Sequence, residues 1–167
     1  MHATPAKETA WWRGRRGEWL VLIQVLLMAL VFFGPRTLLG QPNPDVSFSP
    51  AWRAFGMVLM VLGGGFLAAS IIVLRRSLTP LPYPREGGTL VKSGPFGLVR
   101  HPMYAGGFVL ALGYAIFVHS WLTLGYAVAL FAFMDFKSRR EERWLVERFP
   151  EYSMYQRKVR RLIPFLY

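Results

Sequence analysis

The chain has 167 residues, 53% of them hydrophobic and 17% charged, with a formal net charge of +11 and no cysteine. Ordinary soluble domains run about 45–50% apolar and about 25% charged, so this composition points away from a soluble fold. The missing cysteines exclude disulfides, thiolate metal sites and a cysteine nucleophile.

Residues 1–18 are polar and basic, with Lys7, Arg13, Arg15 and Arg16 beside Trp11 and Trp12, a composition suited to the headgroup layer. A first apolar segment runs from about Trp19 to Gly34 and stops at Pro35. Gly34, Pro35 and Arg36 offer no small-residue cleavage site, so the segment is expected to be a retained span and not a signal peptide. A short loop follows with Pro42, Pro44 and Pro50 as breakers. The second span is expected over about Ala51–Leu74. Its last 21 residues carry no charge, enough to cross roughly 30 Å of hydrocarbon. Gly63, Gly64 and Gly65 in its middle suit close helix packing.

Residues 75–100 form a long connection, stiffened by Pro80, Pro82 and Pro84 and turn-rich after Gly87. A connection of this length without regular structure is unusual and points to function. A third span is expected over about Met103–Val118 and a fourth over about Trp121–Phe136, joined by a tight turn at His119-Ser120. Each is about 16 residues, roughly 24 Å long, so the pair is expected to be a short helical hairpin that barely crosses. Ser70 and Tyr114 are expected to make helix–helix hydrogen bonds, and Asp135 to snorkel or pair with Arg139. In the tail, Leu145, Phe149, Tyr152, Gln156, Val159 and Ile163 recur at three- and four-residue steps. Two short amphipathic helices at the membrane surface are expected there, the second opened by Pro150.

Basic residues set the orientation. Four lie in the N-terminus, five in the 75–100 connection and nine in the tail, 18 of the 20 in the chain. The positive-inside rule places both termini and the long connection in the cytoplasm. The net positive charge is thereby read as topology and headgroup contact, not nucleic-acid binding, since no nucleic-acid module is visible. The fold class is all-α: a polytopic membrane protein of four transmembrane helices plus cytoplasmic C-terminal amphipathic helices. It is read as a single domain over 1–167, with 19–74 holding the first two spans.

Two polar clusters then fall on one face. Ser93-Gly94-Pro95-Phe96-Gly97-Leu98-Val99-Arg100-His101-Pro102-Met103-Tyr104 leads into the third span, with Pro102 in its first turn and His101 near the cap, where free N–H groups favour an anion. Lys137, Arg139, Arg140, Glu141 and Glu142 follow the fourth span. Because the hairpin doubles back, Glu141 and His101 are expected to meet. A bland reading stands beside each: a capped helix start, and a solvated helix turn.

These clusters, in this order, resemble the isoprenylcysteine carboxyl methyltransferase family and the related membrane phospholipid methyltransferases. The resemblance covers about residues 88–165 and rests on the Ser-Gly-Pro-aromatic turn, Arg100-His101-Pro102-x-Tyr104 with a following glycine, the Glu141-Glu142 pair, and Phe149, Tyr152, Tyr155, Val159 and Pro164. It implies a bundle of membrane helices with a cytoplasmic pocket, in residues 75–167, for S-adenosylmethionine. Its cofactor contacts would fall on Val91, Phe96, Arg100, His101, Pro102, Met103, Tyr104 and Glu141. Substrate or catalytic contacts would fall on Lys137, with Arg139 and Arg140 as rivals, and Glu142 could assist a neutral amine nucleophile. Partners implied are the bilayer and a lipophilic substrate, with no metal, in a bacterial or archaeal inner membrane. Two positions depart from the family: Phe96 stands where Tyr is usual, and the acidic run at Glu141-Glu142 is shorter than in the eukaryotic enzymes. O-, N- and S-methylation remain open, as do a nicotinamide-dependent membrane reductase and a non-enzymatic membrane protein.

Overall fold

A computed structural model describes residues 17–38, 50–74, 90–164 and 166. The expectations for residues 1–16 (Trp11, Trp12 and the four basic residues), for the Pro42 and Pro44 loop and for the Pro80–Gly88 stretch lie outside the described residues. Within them the chain is helical, with six helices and no strand: α1 (Glu18–Phe33), α2 (Pro50–Leu74), α3 (Pro95–Leu98), α4 (Pro102–Phe117), α5 (Trp121–Arg148) and α6 (Tyr152–Lys158).

Local chemistry sets these boundaries. Proline opens α2, α3 and α4, where its missing N–H and fixed φ cost nothing. Ser120 caps α5, its hydroxyl accepting from the Thr123 amide at 3.0 Å, the usual stabilisation of a helix start. His119, the residue before that cap, takes φ 51° to close the three-residue turn of Val118, His119 and Ser120. Gly34, followed by Pro35, ends α1.

The four long helices match the expected apolar segments, with one difference. α5 does not stop near Phe136. It runs unbroken to Arg148, because Lys137 to Arg148 contains no Gly or Pro and is rich in helix formers. The expected first tail helix is therefore the continuation of α5, and only α6, beyond Pro150, is separate. The 75–100 connection is also less irregular than expected: its described end folds into α3, and Val99 forms an isolated parallel bridge with Arg160.

Helix α4 lies at the centre, packed against α2, α5, α3 and α1, while α1 packs chiefly on α5. Glycines set the α2–α4 contact. A Cβ on Gly63 would meet the Leu110 amide nitrogen and, at 2.8 Å, the Gly106 carbonyl oxygen; a Cβ on Gly56 would lie 2.7 Å from the Phe117 nitrogen. Two small-residue pairs seven apart, Gly56/Gly63 and Gly106/Gly113, thus let antiparallel backbones touch. Gly65 takes no part in that contact, for a Cβ there meets nothing within 4 Å, and a Cβ on Gly64 would touch only the Leu110 side chain at 3.8 Å. Ser70, expected to bridge helices, instead donates to the Phe66 carbonyl of its own helix at 2.6 Å, a bond always in reach one turn back. Tyr114 does bridge, donating to the Phe32 carbonyl at 3.2 Å.

The apolar core joins Val31 of α1, Ala111 of α4 and Ala127, Leu130 and Met134 of α5. Outside it the helices are oily. Leu26 is 64% exposed and Val61 69%, and Leu22, Ile23, Val25, Val58, Leu62 and Ile72 are exposed with them. Monomeric soluble proteins rarely leave so much contiguous apolar surface in water. α2, at 25 residues, is long and apolar enough to cross a membrane; α1 and α4 are apolar but shorter, at 16 residues each.

Candidate active site

The polar cluster forms where α4 begins and the middle of α5 passes it. Gly94 turns the chain into α3 at φ 59°, a left-handed conformation that favours glycine, and a Cβ there would press on Val73 at the end of α2. Two residues after α3, Arg100 and His101 hydrogen-bond through their amides to the carbonyls of Arg160 (2.7 Å) and Arg161 (3.0 Å). The tail after α6 therefore holds the His-Pro turn as a strand would.

His101 is buried between both glutamates: Nδ1 lies 3.6 Å from Glu141 Oε2, and Nε2 lies 3.3 Å from Glu142 Oε1 without hydrogen-bond alignment. The expected meeting of His101 with Glu141 is present. The Tyr104 hydroxyl donates to Glu141 Oε1 at 2.5 Å, and its ring stacks on His101 with 5.5 Å between centroids. Lys137 is 3% exposed. Its Nζ donates to Gln24 Oε1 of α1 at 2.5 Å, lies 3.9 Å from Glu141 Oε1 and sits over the Tyr104 ring at 5.2 Å.

The two glutamates, adjacent in sequence, have opposite electrostatics. Burial pushes the Glu141 carboxyl above its ordinary value, against the pull of His101, Lys137 and Tyr104. Burial also opposes ionisation of Glu142, but the adjacent His101 ring and the hydrogen bond and charge of Arg100 outweigh it and lower its pKa from 4.5 to about 2. Arg100 donates to Glu142 Oε1 at 2.7 Å, and Arg161 (3.3 Å) and Gln156 (3.2 Å) donate to Oε2. Arg100 also donates to the carbonyls of Gln156 and Val159, and the Tyr155 hydroxyl donates to the Phe96 carbonyl. Glu142 and Arg100 are thus held in a clamp that fixes the tail to the His-Pro turn.

A depressed folded-state pKa means that Glu142 stabilises the fold fully above about pH 4.5 and loses that contribution as pH falls toward 2. Arg100→Met removes the nearest charged partner of Glu142. It is expected to raise the midpoint of acid unfolding, read by circular dichroism in detergent, and to cost about 3 kcal/mol at neutral pH by stranding a buried carboxylate.

The other expected site residues divide. Pro102 is buried in the first turn of α4 and Phe96 is buried in α3; Met103 is half-buried beside them, and Val91 half-buried ahead of α3. Arg139 and Arg140 are exposed, and Arg139 pairs with Asp135 at 2.8 Å, as expected for Asp135. Neither arginine joins the His101–Glu141 cluster: on α5 they fall off the face shared by Leu130, Met134, Lys137 and Glu141. Sequence reasoning missed Gln24, Gln156 and Arg161. Gln24 left a signal, as a lone carboxamide in an apolar helix; the tail residues left none, since their reach depends on how the tail folds back.

The family profile described as phospholipid methyltransferase matches residues 51–152. The cobalt-zinc-cadmium resistance protein CzcN of Cupriavidus metallidurans is 29% identical over 156 residues, 92% of this chain and 65% of its own length. The protein-S-isoprenylcysteine O-methyltransferase of Xenopus laevis is 36% identical over 127 residues, 74% of this chain and 44% of its own. The chain therefore spans about two thirds or less of these relatives. The solved structure of the eukaryotic intramembrane Ras methyltransferase ICMT (isoprenylcysteine carboxyl methyltransferase) shares the fold, with a TM-score of 0.65 at 19% identity, over 97% of this chain and 55% of that one. With the profile covering residues 51–152, from the start of α2 to the start of α6, and enclosing both halves of the polar cluster, the chain belongs to the isoprenylcysteine carboxyl methyltransferase and phospholipid methyltransferase family.

Proposed function

We propose that this chain is an integral membrane methyltransferase that uses S-adenosylmethionine and acts on a lipid-like acceptor, as an isoprenylcysteine carboxyl O-methyltransferase does. Four helices, α1, α2, α4 and the first half of α5, cross the bilayer, with both termini and the polar cluster at the cytoplasmic boundary. The exposed apolar belt and the one-sided basic residues support that topology.

The observation that carries the function is the His101–Tyr104–Glu141 cluster at the mouth of the α4–α5 hairpin. Its donor set fits the cofactor. A buried carboxylate suits an ammonium or ribose hydroxyls, the face of Tyr104 suits an adenine ring, and the first turn of α4 suits a carboxylate. When bound, S-adenosylmethionine supplies an electrophilic methyl group on a sulfonium. The chain's own task is to align the acceptor and keep water out. Lys137 is placed to orient an anionic acceptor, and a carboxylate needs no base. Glu142 positions His101 and is not free to take a proton, because Arg100, Arg161 and Gln156 occupy its oxygens.

The test is binding of labelled S-adenosylmethionine and of NADPH to the detergent-solubilised chain. Saturable binding of the first and not the second is expected; the reverse would establish a reductase, and binding of neither a non-enzymatic protein. His101→Ala is expected to weaken cofactor binding about tenfold, the worth of one hydrogen bond to a charged group. Arg36→Ala, which loses contacts to the hydroxyl and ring of Tyr114 at the far end of the hairpin, is expected to leave that binding unchanged.

A further inference from the structure

α1 carries one half-buried polar side chain between its ends. From Trp19 to Phe33 every residue is apolar except Gln24. Leu27, Met28 and Val31 share its face, one and two turns on, and pack on the core. The opposing face of α5 reads Ala127, Leu130, Met134 and then Lys137. The apolar seam between the helices thus ends in a carboxamide facing an ammonium. A leucine would complete the seam, and an unbonded amide there costs free energy.

Gln24 Oε1 accepts from Lys137 Nζ at 2.5 Å, while its Nε2 reaches only the Met28 sulfur at 4.0 Å, a weak acceptor. Lys137 has three N–H donors. Gln24 takes one, and no other acceptor lies within hydrogen-bond distance among the described residues. The nearest carboxylate oxygen, Glu141 Oε1, is 3.9 Å away and already accepts from Tyr104. A cation this deeply buried with donors to spare is poised for an anion, and its one neutral partner fixes its position without neutralising it.

We propose that Gln24 is a positioning residue that holds the Lys137 ammonium toward an anionic methyl acceptor, so that α1, which lies outside the span matched by the family profile, completes the acceptor side of the site. This rests on the methyltransferase reading above. The acceptor it selects carries a carboxylate beside a lipid-like chain. An amine headgroup would meet the Lys137 charge.

Two variants separate positioning from mere filling of the seam. Gln24→Leu completes the apolar seam and leaves Lys137 without its partner. Gln24→Glu keeps a partner but neutralises the ammonium and repels an incoming anion. With N-acetyl-S-farnesylcysteine as acceptor probe, each is expected to raise KM about tenfold or more, the worth of a charge-assisted hydrogen bond. Binding of S-adenosylmethionine is expected to stay unchanged, and kcat to shift less than KM. A second readout needs no turnover. The chain has four lysines, Lys7, Lys92, Lys137 and Lys158, so acylation of Lys137 can be followed by mass spectrometry. The farnesyl probe is expected to protect Lys137 in the unmutated protein and in neither variant, and phosphatidylethanolamine vesicles to protect it in none. Unmutated KM and protection in Gln24→Glu, or protection by phosphatidylethanolamine in place of the carboxylate probe, would overturn the proposal. Loss of S-adenosylmethionine binding by the unmutated chain instead sinks the methyltransferase reading, and the labelling pattern still decides what Gln24 does.

Discussion

Glu141→Gln is expected to weaken S-adenosylmethionine binding at least about thirtyfold while making the cofactor-free protein more stable at neutral pH. The first effect follows from removing the one acidic group that faces the cluster with its charge unclamped; loss of one partner from a buried charge pair costs about 2 kcal/mol or more. The second follows from burial. Because Glu141 has its pKa raised in the fold, it favours folding fully below its unfolded-state pKa and progressively less as pH rises through the folded value. A glutamine keeps the shape and can accept from Tyr104, yet carries no charge to bury. Calorimetric titration with the cofactor and thermal unfolding in detergent at pH 7 read the two effects. A variant weaker in both would make Glu141 a structural residue. Glu142→Gln is expected to behave oppositely in stability, since its depressed pKa marks a carboxylate that stabilises the fold at neutral pH.

The meeting of His101 with Glu141 was legible because the hairpin is short. A short turn at His119-Ser120 leaves antiparallel helices little freedom of register, so the start of α4 must face the part of α5 an equal distance from the turn. The ends at Pro50, Pro102 and the His119-Ser120 turn were legible for a similar reason, being local signals, whereas α3 at Pro95 was not expected. What sequence could not assign was the division of labour between Glu141 and Glu142. That division depends on which carboxylate Arg100 reaches, and the position of Arg100 is set by the bridge between Val99 and Arg160 and by the tail carbonyls that it bonds. No periodicity encodes a tail folding back on a loop. Arg139 and Arg140 fell among the substrate-binding candidates because charge near the motif is visible in sequence, whereas helix face is fixed only once Lys137 and Glu141 are known to point inward. Gln24 was overlooked for the opposite reason. Its partner is far along the chain, and only the packing of α1 on α5 brings them together.

The α2–α4 seam carries a large structural effect of a different kind. Gly63→Ala is expected to destabilise the protein by about 2 kcal/mol or more, whereas Gly65→Ala, two residues on, stabilises it by about 0.5–1 kcal/mol. Both changes relieve the same backbone entropy of a mid-helix glycine. They differ in what the methyl meets. At position 65 it meets nothing within 4 Å; at 63 it strikes the Leu110 nitrogen and the Gly106 carbonyl oxygen, which are backbone and cannot swing aside. Overpacking costs about 1–3 kcal/mol even where side chains can give. The helices must separate, and because Val73 at the end of α2 lies against Gly94, that separation pulls on the turn that delivers His101. Thermal unfolding midpoints in one detergent rank the pair, and S-adenosylmethionine affinity is expected to fall in Gly63→Ala and to hold in Gly65→Ala. Equal midpoints for the two variants would mean that the glycine seam does not set the distance between α2 and α4.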